Sequence, residues 1–201
     1  MEPFSADSLE DAFGELSREL QRRNVRAHIY VIGGAAMALG FDDRRQTMDV
    51  DALIKKGHGP VVEAVRRIGR RRGWPDTWLN EHAVSAIPRG KDRRARTAYG
   101  DRNLVVTAAS AEHLLAMKVR AARAKDREDI AFLAERLGLS SGREVLDLHD
   151  EAFPRDPPKR RNLERARRIL SDLWPQDRSL DRDDRYGYGL EHGRRSNDRS
   201  R

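Results

Sequence analysis

The chain has 201 residues, 38% of them hydrophobic and 36% charged, no cysteine and a formal net charge of +7. That length allows one core-forming domain with a small helical appendage, and no run approaches the roughly eighteen apolar residues of a membrane span. The lack of cysteine excludes disulfides, thiolate zinc sites and cysteine nucleophiles, and it suits a cytoplasmic protein. The opening MEPFSADSLEDAFGEL lacks the basic and apolar regions of a secretory signal.

Leu9, Phe13, Leu16 and Leu20 recur at helical spacing across residues 5–23. HIYVI, 28–32, reads as a buried strand that Gly33-Gly34 ends, and AAMALGF as the helix after it. MDVDALI, 48–54, reads as a second strand, and PVVEAVRRIGRRRG as a helix with Pro60 in its first turn and Gly73 at its end. WPDTWLN suggests a turn with a short helical piece, AVSAI a short strand, GKDRR a loop and NLVVTA a further strand. Ser110 has the character of an N-cap, with Glu112 in the first turn. Helices are expected to Arg123, over 125–137, 141–153 and 160–173. The composition thus predicts an α/β core over 1–109, a helical region over 110–174 and a disordered tail over 175–201, rich in Asp and Arg.

On a strand, residues two apart share a face, so Asp49 and Asp51 are expected to point one way with Thr47 beside them, and Met48, Val50 and Ala52 into the core. Two carboxylates this close repel, and a divalent cation between them removes the repulsion; magnesium prefers such hard oxygen ligands. A solvent-facing acidic edge, paired with Arg44 or Arg45, is the plainer reading of the two acids alone. Gly33-Gly34 likewise fits an ordinary strand-to-helix turn, or one whose amides approach a phosphate at a helix N-terminus. Together, a glycine turn opening a helix and an acid pair on the next strand suit a nucleoside triphosphate with its metal. No G-K-[ST] follows the glycines, and neither G-x-G-x-x-G nor G-x-S-x-G occurs.

VIGGAAMALGFDDRRQTMDVDALI resembles the core of the nucleotidyltransferase superfamily typified by DNA polymerase β. The R-x-T-x-D-x-D form, Arg45 to Asp51, is closer to the bacterial toxin subgroup that includes AbiE-type and mycobacterial MenT toxins. LLAMKVRAARAKDREDIAFL, 114–133, is similar to that subgroup's K…R-x-K-D-x-x-D segment, and WLNEHAV, 78–84, to a segment of related bacterial nucleotidyltransferases. The resemblance implies a minimal mixed transferase sheet with a helical C-terminal region. Asp49 and Asp51 would bind magnesium, or manganese, and Gly33 and Gly34 would hold the triphosphate, with Arg45 and Thr47 beside them. Lys118 matches the subgroup's essential lysine and Asp126 its helical aspartate. The superfamily's third carboxylate lies on a later strand; NLVVTA carries none, Asp101 lies just ahead of it, and Asp126 is the substitute. The implied reaction moves a nucleoside monophosphate from an NTP to an acceptor. In the toxins that acceptor is the 3′ end of tRNA, and a cognate antitoxin silences them.

Residues 60–100 carry ten Lys or Arg against four acids. Arg66 to Arg72 and Arg93 to Arg96 are therefore candidate phosphate contacts, and Trp74, Trp78 and Tyr99 candidate base-stacking groups, with core packing the alternative for the two tryptophans. A nucleic-acid-binding protein without catalysis is the rival reading, and a protein or small molecule is the alternative acceptor.

Overall fold

The computed structural model describes residues 2–42, 45–154 and 156–180. The first helix, α1 (Ala6–Gln21), starts at Ser5, whose hydroxyl accepts from the Ser8 amide, and Leu9, Phe13, Leu16 and Leu20 are fully buried on its inner face. Then come β1 (Ala27–Val31), α2 (Gly33–Gly40), β2 (Val50–Lys56), α3 (His58–Arg72), β3 (Leu79–Asn80), β4 (Arg96–Gly100) and β5 (Leu104–Ala108). Four helices follow: α4 (Ala111–Ala121), α5 (Arg127–Arg136), α6 (Gly142–Ala152) and α7 (Arg160–Leu173). The expected N-cap at Ser110 accepts from the His113 amide, and α3 ends on left-handed Gly73.

The strands form one mixed sheet in the order β3-β2-β1-β5-β4. At its centre β1 runs antiparallel to β2 and parallel to β5, β3 is parallel to β2, and β4 is antiparallel to β5. Along β2, Val50, Ala52 and Ile54 are buried on one face while Asp51 and Leu53 are half-buried and Lys55 is exposed on the other. That alternation is how a strand covers a core on one side and presents polar groups on the other. In the C-terminal part α4 packs against α5, α6 and α7.

The sequence expectation and the structure part at several places. Met48 is 56% exposed rather than in the core, because β2 begins only at Val50 and Met48 and Asp49 lie in a bend before it. AVSAI is no strand: Val84–Ala86 is a 3-10 turn whose amides bond back within residues 81–87. The strand instead lies earlier, where Leu79–Asn80 takes the edge of β2. β4 was not expected; its residues are half-buried or exposed and carry no apolar run. Of the tail expected to be disordered, 175–180 includes Leu180, which is buried and packs near Gly142 and Leu170. The rest of that tail and Arg44 lie outside the described residues.

Asp101 makes the β4–β5 turn. Its Oδ1 accepts from the amides of Asn103 and Leu104, and its Oδ2 from the Tyr99 hydroxyl. Burial pushes this carboxyl up, but the bonds from Ser17, the two amides and Tyr99 outweigh it and hold it at about 2. A depressed carboxylate adds stability that is complete above its ordinary value and fades as pH falls toward the folded one. Asp101→Asn is therefore expected to lower the melting temperature at pH 7, with the gap to the parent narrowing between about pH 4 and pH 2. Thermal melts across that range check it; a pH-independent gap would contradict it.

Candidate active site

The acid pair and the glycine turn meet at the end of the sheet. The Ile32 amide donates to the Asp51 carbonyl at 2.9 Å, which ties the end of β1 to the start of β2. Gly33, at φ 63°, then starts α2 in the left-handed region that favours glycine. A Cβ on Gly33 would sit 3.4 Å from Asp51 Oδ2, and one on Gly34 only 2.8 Å from Thr47 Oγ1. The backbone of the turn therefore lies against Asp51 and Thr47 with no room for a side chain at Gly34. Thr47 is itself fixed: its backbone bridges to Phe4, and its hydroxyl donates to the Asp49 carbonyl at 3.0 Å.

Asp49 is exposed and Asp51 half-buried. Burial raises the Asp51 carboxyl above its ordinary range, and the Asp49 charge raises it further. His82, Arg123 and Lys125 act the other way, so these three basic side chains lie within electrostatic reach of this carboxylate. Arg123 and Lys125 are exposed and follow Ala122, whose positive φ of 45° breaks α4 and turns the chain. Asn80, on the adjoining strand, donates from Nδ2 to Asp49 Oδ2 at 3.3 Å.

Lys118 and Asp126 sit in a separate ionic cluster. Lys118 Nζ lies 3.0 Å from Asp126 Oδ1 and 2.5 Å from Asp129 Oδ2, and Arg45 also pairs with Asp129. Both aspartates are buried, and Asp126 also accepts from the Arg123 amide. Among the described residues no three His, Cys, Asp or Glu come together as a metal site, so Asp126 does not join Asp49 and Asp51 in one. Asp101 is used in its turn, and Glu81 accepts from the Ile54 amide and meets His58.

The basic segments divide. Arg71 and Arg72 bond to Glu15, and Arg67 and Arg71 to Glu19, so most of the α3 arginines join α3 to α1 instead of facing a ligand. Trp78 is 1% exposed and donates to the Val65 carbonyl, Trp74 packs edge-on to Phe4, and Tyr99 packs beside Phe13. All three pack against the core, Trp74 and Tyr99 only partly buried, and burial removes Trp78 from a base-stacking role. The loop 89–94 differs: Arg89, Lys91 and Arg93 are exposed and make no ion pair among the described residues. Asp92 in their midst pins that loop to the sheet, accepting from the Tyr30 hydroxyl at 2.7 Å and the Ser110 amide at 2.9 Å.

Residues 7–140 match a protein family described as a nucleotidyltransferase of unknown function (DUF6036). The chain belongs to this family of nucleotidyltransferases. A solved structure, an antigenic nucleotidyltransferase-like protein from Paracoccidioides brasiliensis, aligns at 16% identity with a TM-score of 0.35 over 89% of this chain and 94% of that one. No curated protein matches the chain. The matched span of the nucleotidyltransferase holds the glycine turn, the acid pair, Asn80 and the Lys118 cluster.

The sequence alone did not single out Asn80, His82, Arg123 and Lys125 as neighbours of the acid pair, although all four lie within WLNEHAV or residues 114–133. The packing of the turn gives a direct prediction. Gly34→Ala should lower kcat/KM for the nucleotide about a hundredfold, the scale of an ångström-sized misplacement. Gly34→Ala with Thr47→Ala should recover part of it, since the colliding hydroxyl is gone. Steady-state kinetics of both variants decide it; an unimpaired single variant would contradict the close packing.

Proposed function

We propose that the protein is a magnesium-dependent enzyme that moves a nucleoside monophosphate from an NTP to the 3′ end of an RNA, tRNA foremost, as the toxin of a toxin–antitoxin pair. The observation that carries the catalytic part is the close approach of Asp51 and Thr47 to the glycine turn, with the Asp49 charge beside Asp51. Asp49 and Asp51 offer hard oxygens close together, and Asp51 is half-buried beside a like charge. A divalent cation fits this donor set, magnesium first and manganese as a substitute. When bound, it supplies Lewis-acid polarisation of the phosphoryl oxygens.

The chain's own groups do the rest by position and charge. The amides at Gly33 and Gly34 face the triphosphate, as at other helix N-termini that bind anions. Arg123 and Lys125 neutralise the phosphates that leave. Arg45 and Thr47 border the turn, Thr47 by setting the Asp49 backbone. Lys118 reaches the nucleotide only by giving up one of its two aspartates, and Asp126 holds it ready.

The RNA acceptor is supported by Arg89, Lys91 and Arg93, an exposed phosphate-binding loop fixed to the sheet at Asp92. The tRNA end, the toxin role and a silencing antitoxin are supported by the resemblance of the Arg45-to-Asp51 and 114–133 segments. Membership in a nucleotidyltransferase family favours catalysis over a binding module. Incubation with each labelled NTP, magnesium and total tRNA tests the proposal. Label at the tRNA 3′ end is expected. Label entering only protein or a small-molecule fraction would replace the acceptor, and no transfer from any nucleotide to any acceptor would overturn the reading.

A further inference from the structure

We infer that Asn80 is a positioning residue of the acid pair, holding the Asp49 carboxylate so that its second oxygen faces the cation. The inference rests on the proposal that Asp49 and Asp51 bind that cation. Asn80 is 7% exposed and pairs in register with Asp51 across the parallel β2–β3 ladder. Neighbours in register share a face, so its side chain stands on the acid side of the sheet. Its amide orientation follows from chemistry. The His82 backbone N–H can only donate, and it does so to Asn80 Oδ1 at 2.9 Å. The NH2 group must then point the other way, and it donates to Asp49 Oδ2 at 3.3 Å.

This bond matters because Asp49 has little else to fix it. It is exposed, lies in a bend ahead of β2, and belongs to no strand. A carboxylate free to rotate must be ordered by the cation itself, which weakens binding; one already held by a buried amide need not be. Among the described residues no third acid joins the group, and Asn80 occupies the neighbouring strand position and contributes a donor there instead of a ligand. The WLN stretch thus matters twice: Trp78 anchors β3 in the core, and Asn80 carries its effect to Asp49.

Manganese titrations followed by electron paramagnetic resonance, without nucleotide or acceptor, test this on the full chain, with melting temperatures as the folding control. Asn80→Ala is expected to weaken manganese binding about tenfold, the low end for groups that orient a metal ligand. Asn80→Asp keeps the acceptor for the His82 amide but turns the donor into a like charge. Its melting temperature without metal should fall, and manganese should raise it by more than it raises the parent. A folded Asn80→Ala that binds manganese as the parent does would overturn the positioning role. Should that variant not fold, an Asn80→Asp whose manganese-induced rise equals the parent's would overturn it instead. If the parent binds no manganese, or Asp49→Ala binds it equally, the failure belongs to the cation proposal and not to Asn80.

Discussion

Replacing Asp51 with asparagine is expected to lower nucleotidyl transfer about a thousandfold and yet raise the melting temperature of the metal-free protein. The two effects have one cause. Asp51 is half-buried, and burial together with the Asp49 charge disfavours its ionised form. Without a cation that charge costs stability, and a neutral isostere removes the cost. Each kcal/mol of relief is worth about 2–4 °C of melting temperature in a chain of this size. With substrate bound, the same charge is required, and losing it removes roughly 4 kcal/mol of transition-state stabilisation, or three decades in rate. Parallel melts with and without magnesium complete the test. Magnesium should stabilise the parent and not the variant. A variant that is both inactive and less stable without metal would indicate a structural acid.

Lys118→Ala is expected to unfold at a temperature roughly 10 °C below the parent. Its ammonium lies between two buried carboxylates, and its loss would leave Asp126 with the Arg123 amide and Asp129 with Arg45. Breaking a buried pair by removing one partner costs about 3–5 kcal/mol, and each kcal/mol is worth about 2–4 °C here. Loss of activity in that variant would therefore say nothing by itself about contact with the nucleotide. The informative variant is Lys118→Met combined with Asp126→Asn and Asp129→Asn, which empties the cluster of buried charge. Stability should return. Activity that returns with it would assign the lysine a structural role; activity that stays lost would support its contact with the triphosphate. Melts and NTP kinetics on the same preparations separate the two.

What the sequence revealed was local. Gly33-Gly34 and Asp49-x-Asp51 are each short, and their meeting needs only one helix between two paired strands, which their order along the chain already suggests. The helices followed from periodicity and caps, as at Ser110 and Gly73. Asn80 stayed hidden because β3 is two residues long and has its meaning only through pairing with β2, about thirty residues earlier. Arg67, Arg71 and Arg72 looked like a nucleic-acid surface because their partners, Glu15 and Glu19, lie on another helix. Arg123 and Lys125 were in plain view, but only the fold brings them within electrostatic reach of Asp51, after left-handed Ala122 ends α4. Composition shows which charges a chain has, and only the fold shows which remain unneutralised.

The most direct test of the central claim is a calorimetric titration of manganese into the protein without nucleotide, repeated with Asp49→Ala and Asp51→Asn combined. Saturable binding that is present in the parent and absent in the double variant is the predicted result. Binding that is equal in both would show that the acid pair beside the glycine turn does not hold the cation.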